Sequence, residues 1–307
     1  MRKTVLDSLQ NLAKKNNKII FIGSDLGPNV MKDFKIKYPS RFFMEGAVEQ
    51  HIISMACGMA NEGFIPYVNT IATFLTRRCF EQISLDMGLQ NTKIRLIANG
   101  GGLVYAPLGP THLAIDDISI MRTVPNMTIL VPADALEMSK LMKETVNYPG
   151  PIYIRVAKGG DPIVTKDLYK KFKIGKLFKI GQEDDVLIIT TGILLNTALK
   201  IRDKLNFEGK KVGILHAPTV KPLDKKSLIR FASNSRVIIT MEEQSIVGGL
   251  GSAISEILLE KKLHKLKKFK RIGLPDIFPE GYGRQHNMMK KYKLDVNSCI
   301  KTIKKII

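Results

Sequence analysis

The sequence predicts two consecutive α/β domains, the first built around a parallel sheet, and three observations carry that expectation. Short apolar, β-branched runs alternate with helix-length amphipathic segments along the chain, the pattern of buried strands joined by helical crossovers. The length, 307 residues with 44% hydrophobic content, exceeds what one core usually organises, since single domains run about 100–200 residues. A Lys- and Gly-rich stretch interrupts the alternation near the middle of the chain, after which it starts again.

Val5, Leu9 and Leu12 recur among polar residues and predict an amphipathic first helix over 1–17. The run Lys18-Ile19-Ile20-Phe21-Ile22-Gly23 then reads as a buried parallel strand ending in glycine. Further strands are expected at 64–69, 94–98, 127–131 and 151–156, with helices between them at 50–61, 76–90 and 135–146. The first domain spans residues 1–165 on this reading, and 166–182 form a linker. The second domain, 183–307, opens with the apolar run Asp185–Gly192. It continues with strands at 211–215, 236–241 and 269–273, helices at 193–205, 224–233 and 248–261, and a C-terminal helix from Val296. No internal repeat of solenoid period is present.

Cys57, Cys79 and Cys299 show neither C-x-x-C spacing nor a histidine at metal-ligand distance, which argues against a zinc site or a disulfide framework. They read as reduced thiols of a cytoplasmic protein. Residues 1–30 lack a signal-peptide pattern, and no apolar run approaches the ~20 residues needed to span a membrane. The net charge of +20 raises a nucleic-acid reading. That reading is weak, because the lysines are dispersed and the densest run, Lys261–Lys270, has almost none of the interleaved aromatic residues that stack on bases, Phe269 alone standing in it. A solvated basic surface is the simpler account, and it also suits anionic substrates.

The chemistry concentrates in the first domain. Glu49 has apolar flanks and precedes a small, apolar helical segment, Ile52–Ala60. A carboxylate there is either desolvated, with a raised pKa and able to share a proton with a ring nitrogen, or it caps the helix N-terminus. Phe74 and Phe80 are six residues apart, which is not one helical face, so a loop-to-helix transition is needed for them to act together. Core packing is the competing account. Arg77 and Arg78 between them do not suit a core, and at least one should meet water or an anion. Gly100-Gly101-Gly102 follows a strand where a βα loop faces ligand, but it is not a nucleotide-binding fingerprint. His112, after Gly109-Pro110-Thr111, can donate to a developing alkoxide or serve as a structural histidine. Arg155 ends a strand where it could grip a phosphate or carboxylate, or form an interdomain ion pair.

Taken together, Gly23-Ser24-Asp25-Leu26, Val48-Glu49-Gln50-His51, Thr73-Phe74-Leu75, Gly109-Pro110-Thr111-His112, Asp116-Asp117, Met121–Met127 and Val131-Pro132-Ala133-Asp134 resemble the C-terminal half of transketolase, in the form split over two chains. In the second domain, Thr219–Asp224 and Glu242–Gly251 extend the likeness, so that it covers essentially the whole chain. The resemblance implies a pyrimidine-binding thiamine-diphosphate domain followed by a smaller transketolase C-terminal domain. It also implies transfer of a two-carbon ketol unit from a ketose to an aldehyde. By the same likeness Glu49 activates the cofactor, Phe74 and Phe80 contact its aminopyrimidine, Asp25 and Leu26 lie near it, and His112, Arg77 and Arg155 face the substrate.

The Gly-Asp-Gly segment that holds magnesium and diphosphate in the family is absent from the sequence. The resemblance therefore implies a partner, an N-terminal transketolase subunit carrying the diphosphate and Mg2+, in an α2β2 assembly. Two departures stand out: family members typically carry a histidine in place of Gly100 and an acid in place of Leu108. A roomier, less polar pocket and a non-standard sugar acceptor are the expectation. Deoxyxylulose-phosphate synthase or a 2-oxo-acid dehydrogenase beta chain would use the same half-site, and a non-catalytic scaffold would not need the acid of Glu49.

Overall fold

The computed structural model describes residues 1–24, 31–166, 168, 172–181, 185–263 and 267–307. Asp25 and Leu26, parts of the expected linker, and part of the 261–270 basic run lie outside them. The first half runs α1 (Arg2–Ala13), β1 (Ile19–Ser24), α2 (Lys32–Lys37), β2 (Phe42–Glu45), α3 (Glu49–Asn61) and β3 (Ile65–Ile71). A π-helical turn at Phe74–Arg78, a short helix α4 (Phe80–Gln82) and a second π-helical stretch at Ile83–Leu89 follow. Then come β4 (Arg95–Asn99), α5 (Asp117–Thr123), β5 (Thr128–Leu130), α6 (Ala135–Thr145) and β6 (Ile152–Val156). The second half contains β7 (Phe178–Ile180), β8 (Val186–Thr190), α7 (Leu194–Phe207), β9 (Val212–His216), β10 (Thr219–Lys221) and α8 (Lys225–Asn234). It ends with β11 (Val237–Ser245), α9 (Leu250–Glu260), β12 (Lys268–Leu274), α10 (Gln285–Lys291) and α11 (Val296–Lys304).

Two sheets result. The first has the order β10-β5-β6-β4-β3-β1-β2 and is parallel except for β10, which pairs antiparallel with β5. The second has the order β12-β11-β8-β9-β7, with β7 antiparallel on β9. Strands β1, β4, β6 and β8 are buried along their whole length, which explains why they read as unbroken apolar runs rather than alternating ones. Strand β10 departs from a simple division of the chain, because a segment from the second half closes the edge of the first sheet. One apolar cluster accordingly joins the halves, running from Ile22, Leu75 and Ile129 through Val220 to Leu215 and Leu250.

The region expected as a single helix over 76–90 is instead two π-helical stretches around α4. Extra residues in a wide turn shift which side chains share a face, and such bulges often lie at functional sites. No helix among the described residues is long and apolar enough to cross a membrane.

Glu242, on β11, accepts from the backbone N–H groups of Leu250 (2.7 Å) and Gly251 (2.8 Å) at the N-terminus of α9. Burial nevertheless pushes its pKa up to about 7, against the opposing pull of those two N–H groups. A carboxyl whose folded pKa is raised binds more protons folded than unfolded between its ordinary value and about 7. Stability must therefore fall as pH rises through that window, by at most about 3 kcal/mol from this group. Denaturant unfolding between pH 4.5 and 8 should show that decline, and Glu242→Gln should flatten it. An unchanged slope in the variant would mean that Glu242 does not titrate there.

Candidate active site

The C-terminal ends of β1, β3 and β4 meet along one edge of the first sheet, where parallel α/β sheets place ligands. Ser24 ends β1, and Glu49 opens α3 after the exposed segment Gly46–Val48. Glu49 is 2% exposed. One carboxylate oxygen accepts from the Ser24 hydroxyl at 2.9 Å, and the Thr70 hydroxyl lies at 3.5 Å. The other oxygen accepts from Nη1 of Arg78 at 2.6 Å. Burial raises the Glu49 pKa, but its own backbone N–H, Arg78 and Ser24 together hold it below the ordinary carboxylate value. Both sequence readings of Glu49 thus contribute: it is buried, and it sits at the positive end of α3. The raised pKa expected of the desolvated form is not what this chain sets, because Arg78 supplies a countercharge.

Phe74 opens the first π-helical turn, and Arg78 closes it. The Arg78 guanidinium lies over the Phe74 ring, 4.5 Å from its centroid. His112 also meets that ring, with centroids 5.2 Å apart and planes at 68°, an edge-to-face contact. His112 Nδ1 is 2.9 Å from the Thr111 hydroxyl. Glu49, Arg78, Phe74 and His112 therefore form one contiguous group. Cys79 lies behind it with its thiol pushed up to about 12 by burial and by the Glu49 charge, so it is inert at neutral pH.

The remaining residues fall elsewhere. Arg77 donates to both oxygens of Asp116 (2.8 and 2.9 Å) and to the Leu113 carbonyl (3.0 Å), tying the π-turn to the loop beyond His112. Phe80 is 41% exposed at the start of α4 and has no ring contact with Phe74 among the described residues. Arg155 is 6% exposed. Its Nε and Nη2 bond to Asp117 at 2.8 and 3.0 Å, and Nη2 also meets the carbonyls of Ala114 and Glu243. The ion pair with Asp117 is made within the first domain, and only the bond to the Glu243 carbonyl reaches the second, so it is not the interdomain ion pair that the sequence offered as the alternative to a substrate contact. Asp25 and Leu26 lie outside the described residues.

The two departures take a different form from the open pocket expected. Gly100 has φ of +82°, and a Cβ built there would run into the ring of Tyr105. Tyr105 fills that space, so the pocket is not roomier at Gly100. Leu108 is exposed at the rim, and the Tyr282 ring of the second half packs against Gly109 beside it, 2.7 Å from where a Cβ would stand. Sequence reasoning missed Tyr105 and Tyr282, neither of which carries a motif, and it gave no role to Ser24 within Gly23-Ser24-Asp25-Leu26. Arg78 stands out in the sequence only as one of two arginines unsuited to a core.

Residues 1–160 match the family model for the transketolase pyrimidine binding domain, and 175–299 match that for the transketolase C-terminal domain. The chain belongs to the transketolase family. It is 31% identical over 302 residues to one of the subunits of the apulose-4-phosphate transketolase of Phocaeicola vulgatus, covering 98% of this chain and 95% of that one. It is 34% identical over 302 residues to 1-deoxy-D-xylulose-5-phosphate synthase of Desulforudis audaxviator, of which it spans only 46%. Among solved structures, a split gene transketolase described as an inactive beta4 tetramer superposes with a TM-score of 0.87 at 29% identity, covering 99% of this chain and 97% of that one. This transketolase-family chain thus matches single-subunit relatives end to end and about half of the longer synthase.

The residues present fit the aminopyrimidine end of thiamine diphosphate. A buried carboxylate stands at a helix head beside an aromatic face, and nearby polar atoms lack partners: Asn69 Nδ2, Asn99 Oδ1 and Thr73 Oγ1, each in a residue at most 2% exposed. Among the described residues, no group of three or more His, Cys, Asp or Glu side chains is arranged to hold a metal ion.

Proposed function

We propose that this chain is the pyrimidine-binding subunit of a cytoplasmic, two-chain, thiamine-diphosphate-dependent transketolase that moves a two-carbon ketol unit from a ketose to an aldehyde. The observation that carries the reading is the buried Glu49 carboxylate, linked through Arg78 to the Phe74 ring, with His112 packed edge-to-face on that ring. Thiamine diphosphate, when bound, supplies the nucleophilic carbon that accepts the ketol unit. Glu49 holds a proton at the ring nitrogen it faces, a role that needs a carboxyl shielded from bulk water. Phe74 offers its face to the ring, with Phe80 as a further wall. His112 donates to the sugar oxygen that gains charge, and Arg77 shapes the loop that carries it. Asp25 and Leu26 complete the ring's surroundings on the family's pattern. Arg155 acts by fixing the domain junction beneath the triglycine loop.

The diphosphate and Mg2+ belong to a second chain, in an α2β2 assembly. Exposed apolar side chains on the elements flanking Glu49, namely Val48, Phe80, Leu85 and Leu89, supply a surface suited to that partner. The Phocaeicola vulgatus relative, named for an apulose phosphate, supports a non-standard sugar as substrate, and the Tyr105 and Leu108 rim favours an acceptor other than the common pentose phosphates. The likeness to 1-deoxy-D-xylulose-5-phosphate synthase supports a second reading, decarboxylation of a 2-oxo acid on the same half-site.

Titrating thiamine diphosphate and Mg2+ into this chain, alone and with its partner subunit, tests the proposal. Binding at least tenfold tighter in the pair, with ketol transfer and no turnover of pyruvate, is the expected result. Tight binding by this chain alone would overturn the divided site, and turnover of pyruvate would select the second reading.

A further inference from the structure

We propose that Arg78 is a positioning residue that seats its guanidinium where the aminopyrimidine ring binds, holding Glu49 in place until the ring displaces it. The inference rests on the functional reading above and concerns the same site. A guanidinium is a flat, cationic N–C–N unit that donates N–H bonds in its own plane. Here it occupies both contacts an aminopyrimidine would make: one N–H to Glu49 at 2.6 Å, and its central carbon over the Phe74 ring, 4.5 Å from the centroid. Both groups cannot use the same carboxylate oxygen and ring face at once.

The two ends of the contact differ in freedom. The Glu49 side chain is 3% exposed and braced by Ser24, whereas the Arg78 side chain is 41% exposed and reaches in from the surface. Arg78 can leave by rotating outward without disturbing the strand ends, and Glu49 cannot. An ion pair with one partner in water contributes little, so displacing it costs little. A competent state occupied only part of the time lowers apparent affinity by that fraction. Arg78 therefore weakens cofactor binding modestly while keeping a buried carboxylate from standing unpaired.

The exchange also has a proton balance. Glu49 starts as a carboxylate paired with a permanent cation. Once the neutral ring replaces that cation, one proton from solvent must enter the shared Glu49 and ring-nitrogen bond. The titratable and charged groups facing Glu49 are Arg78 from the π-turn and the neutral Cys79 thiol beside it; Ser24 and Thr70 contribute only hydroxyls. Arg78 is thus the group whose removal changes how readily that proton is taken up.

The test is thiamine diphosphate binding to the assembled pair, followed by calorimetry and near-ultraviolet dichroism from pH 6 to 8.5, for the wild type and Arg78→Ala. The expected result is about twofold to fivefold tighter binding in R78A, with its loss at rising pH displaced to higher pH. Arg78→Gln, closer in length, is the second variant and should move in the same direction. Equal or weaker binding in R78A and R78Q, with the wild-type pH profile, would overturn the inference and leave the functional reading standing. No binding by any of the pairs would overturn that reading, and this inference with it.

Discussion

Replacing Glu49 by glutamine should lower ketol transfer by the assembled pair about 10²- to 10⁴-fold, the range expected when a positioned acid–base group is removed. Glutamine keeps the length of the side chain and an oxygen to accept from Ser24, so the loss should appear in turnover with little change in assembly. It can neither carry the shared proton nor pair with Arg78. Steady-state rates and cofactor titration on the same preparation separate the two effects. A variant retaining more than a tenth of wild-type turnover would remove Glu49 from the chemistry.

The same substitution has a stability consequence of known sign. In this chain burial raises the Glu49 pKa, but its own backbone N–H, Arg78 and Ser24 outweigh burial and hold it below the ordinary carboxylate value. A depressed folded pKa stabilises the protein above the unfolded pKa, and that contribution is lost as pH falls through the folded one. Any stability gap between wild type and E49Q should therefore be present at neutral pH and close in acid. Because Arg78 is substantially exposed, the gap should be small.

Much of the first domain was legible because its strands are buried on both faces. Ile94–Ala98 and Pro151–Val156 stand out as apolar runs for the same reason that β4 and β6 sit mid-sheet. Strand β2 was not legible: it is a four-residue edge strand in which only Phe42 is buried, so it lacks the run that marks its neighbours. Nor was β10, whose place beside β5 depends on a contact between residues about ninety positions apart. The periodicity at 76–90 signals helix but could not reveal π-turns, since one inserted residue per turn leaves the composition unchanged.

At the site, residue type pointed to Glu49, Phe74 and His112, and the structure brings them together. Arg78 illustrates what sequence cannot supply. Its chain neighbour Arg77 looks equivalent, yet Arg77 turns to Asp116 while Arg78 turns to Glu49. Gly100 shows the converse error. An absent side chain suggested empty space, and the space belongs to Tyr105, five residues along.

Asp117→Ala should produce the largest loss of stability among single changes near the domain junction, about 3–5 kcal/mol. Asp117 is fully buried in the first turn of α5 and accepts from Arg155 and from the Tyr153 hydroxyl at 2.7 Å. Removing the carboxylate leaves a buried cation without its countercharge and a buried hydroxyl without its acceptor. The melting temperature should fall by about 5–8 °C, given how unfolding entropy scales with chain length. The pair itself need not be strongly stabilising, because desolvating two charges offsets much of their attraction. Replacing Arg155 and Asp117 together by Met and Leu should therefore recover part of what D117A loses. The recovery should be incomplete, since Arg155 also donates to the carbonyls of Ala114 and Glu243, which the double variant leaves unpaired. A loss below 1 kcal/mol in D117A would mean that water reaches the junction. A loss accompanied by two separate melting transitions would mean that Arg155, which Asp117 holds against the Glu243 carbonyl, couples the two sheets into a single cooperative unit.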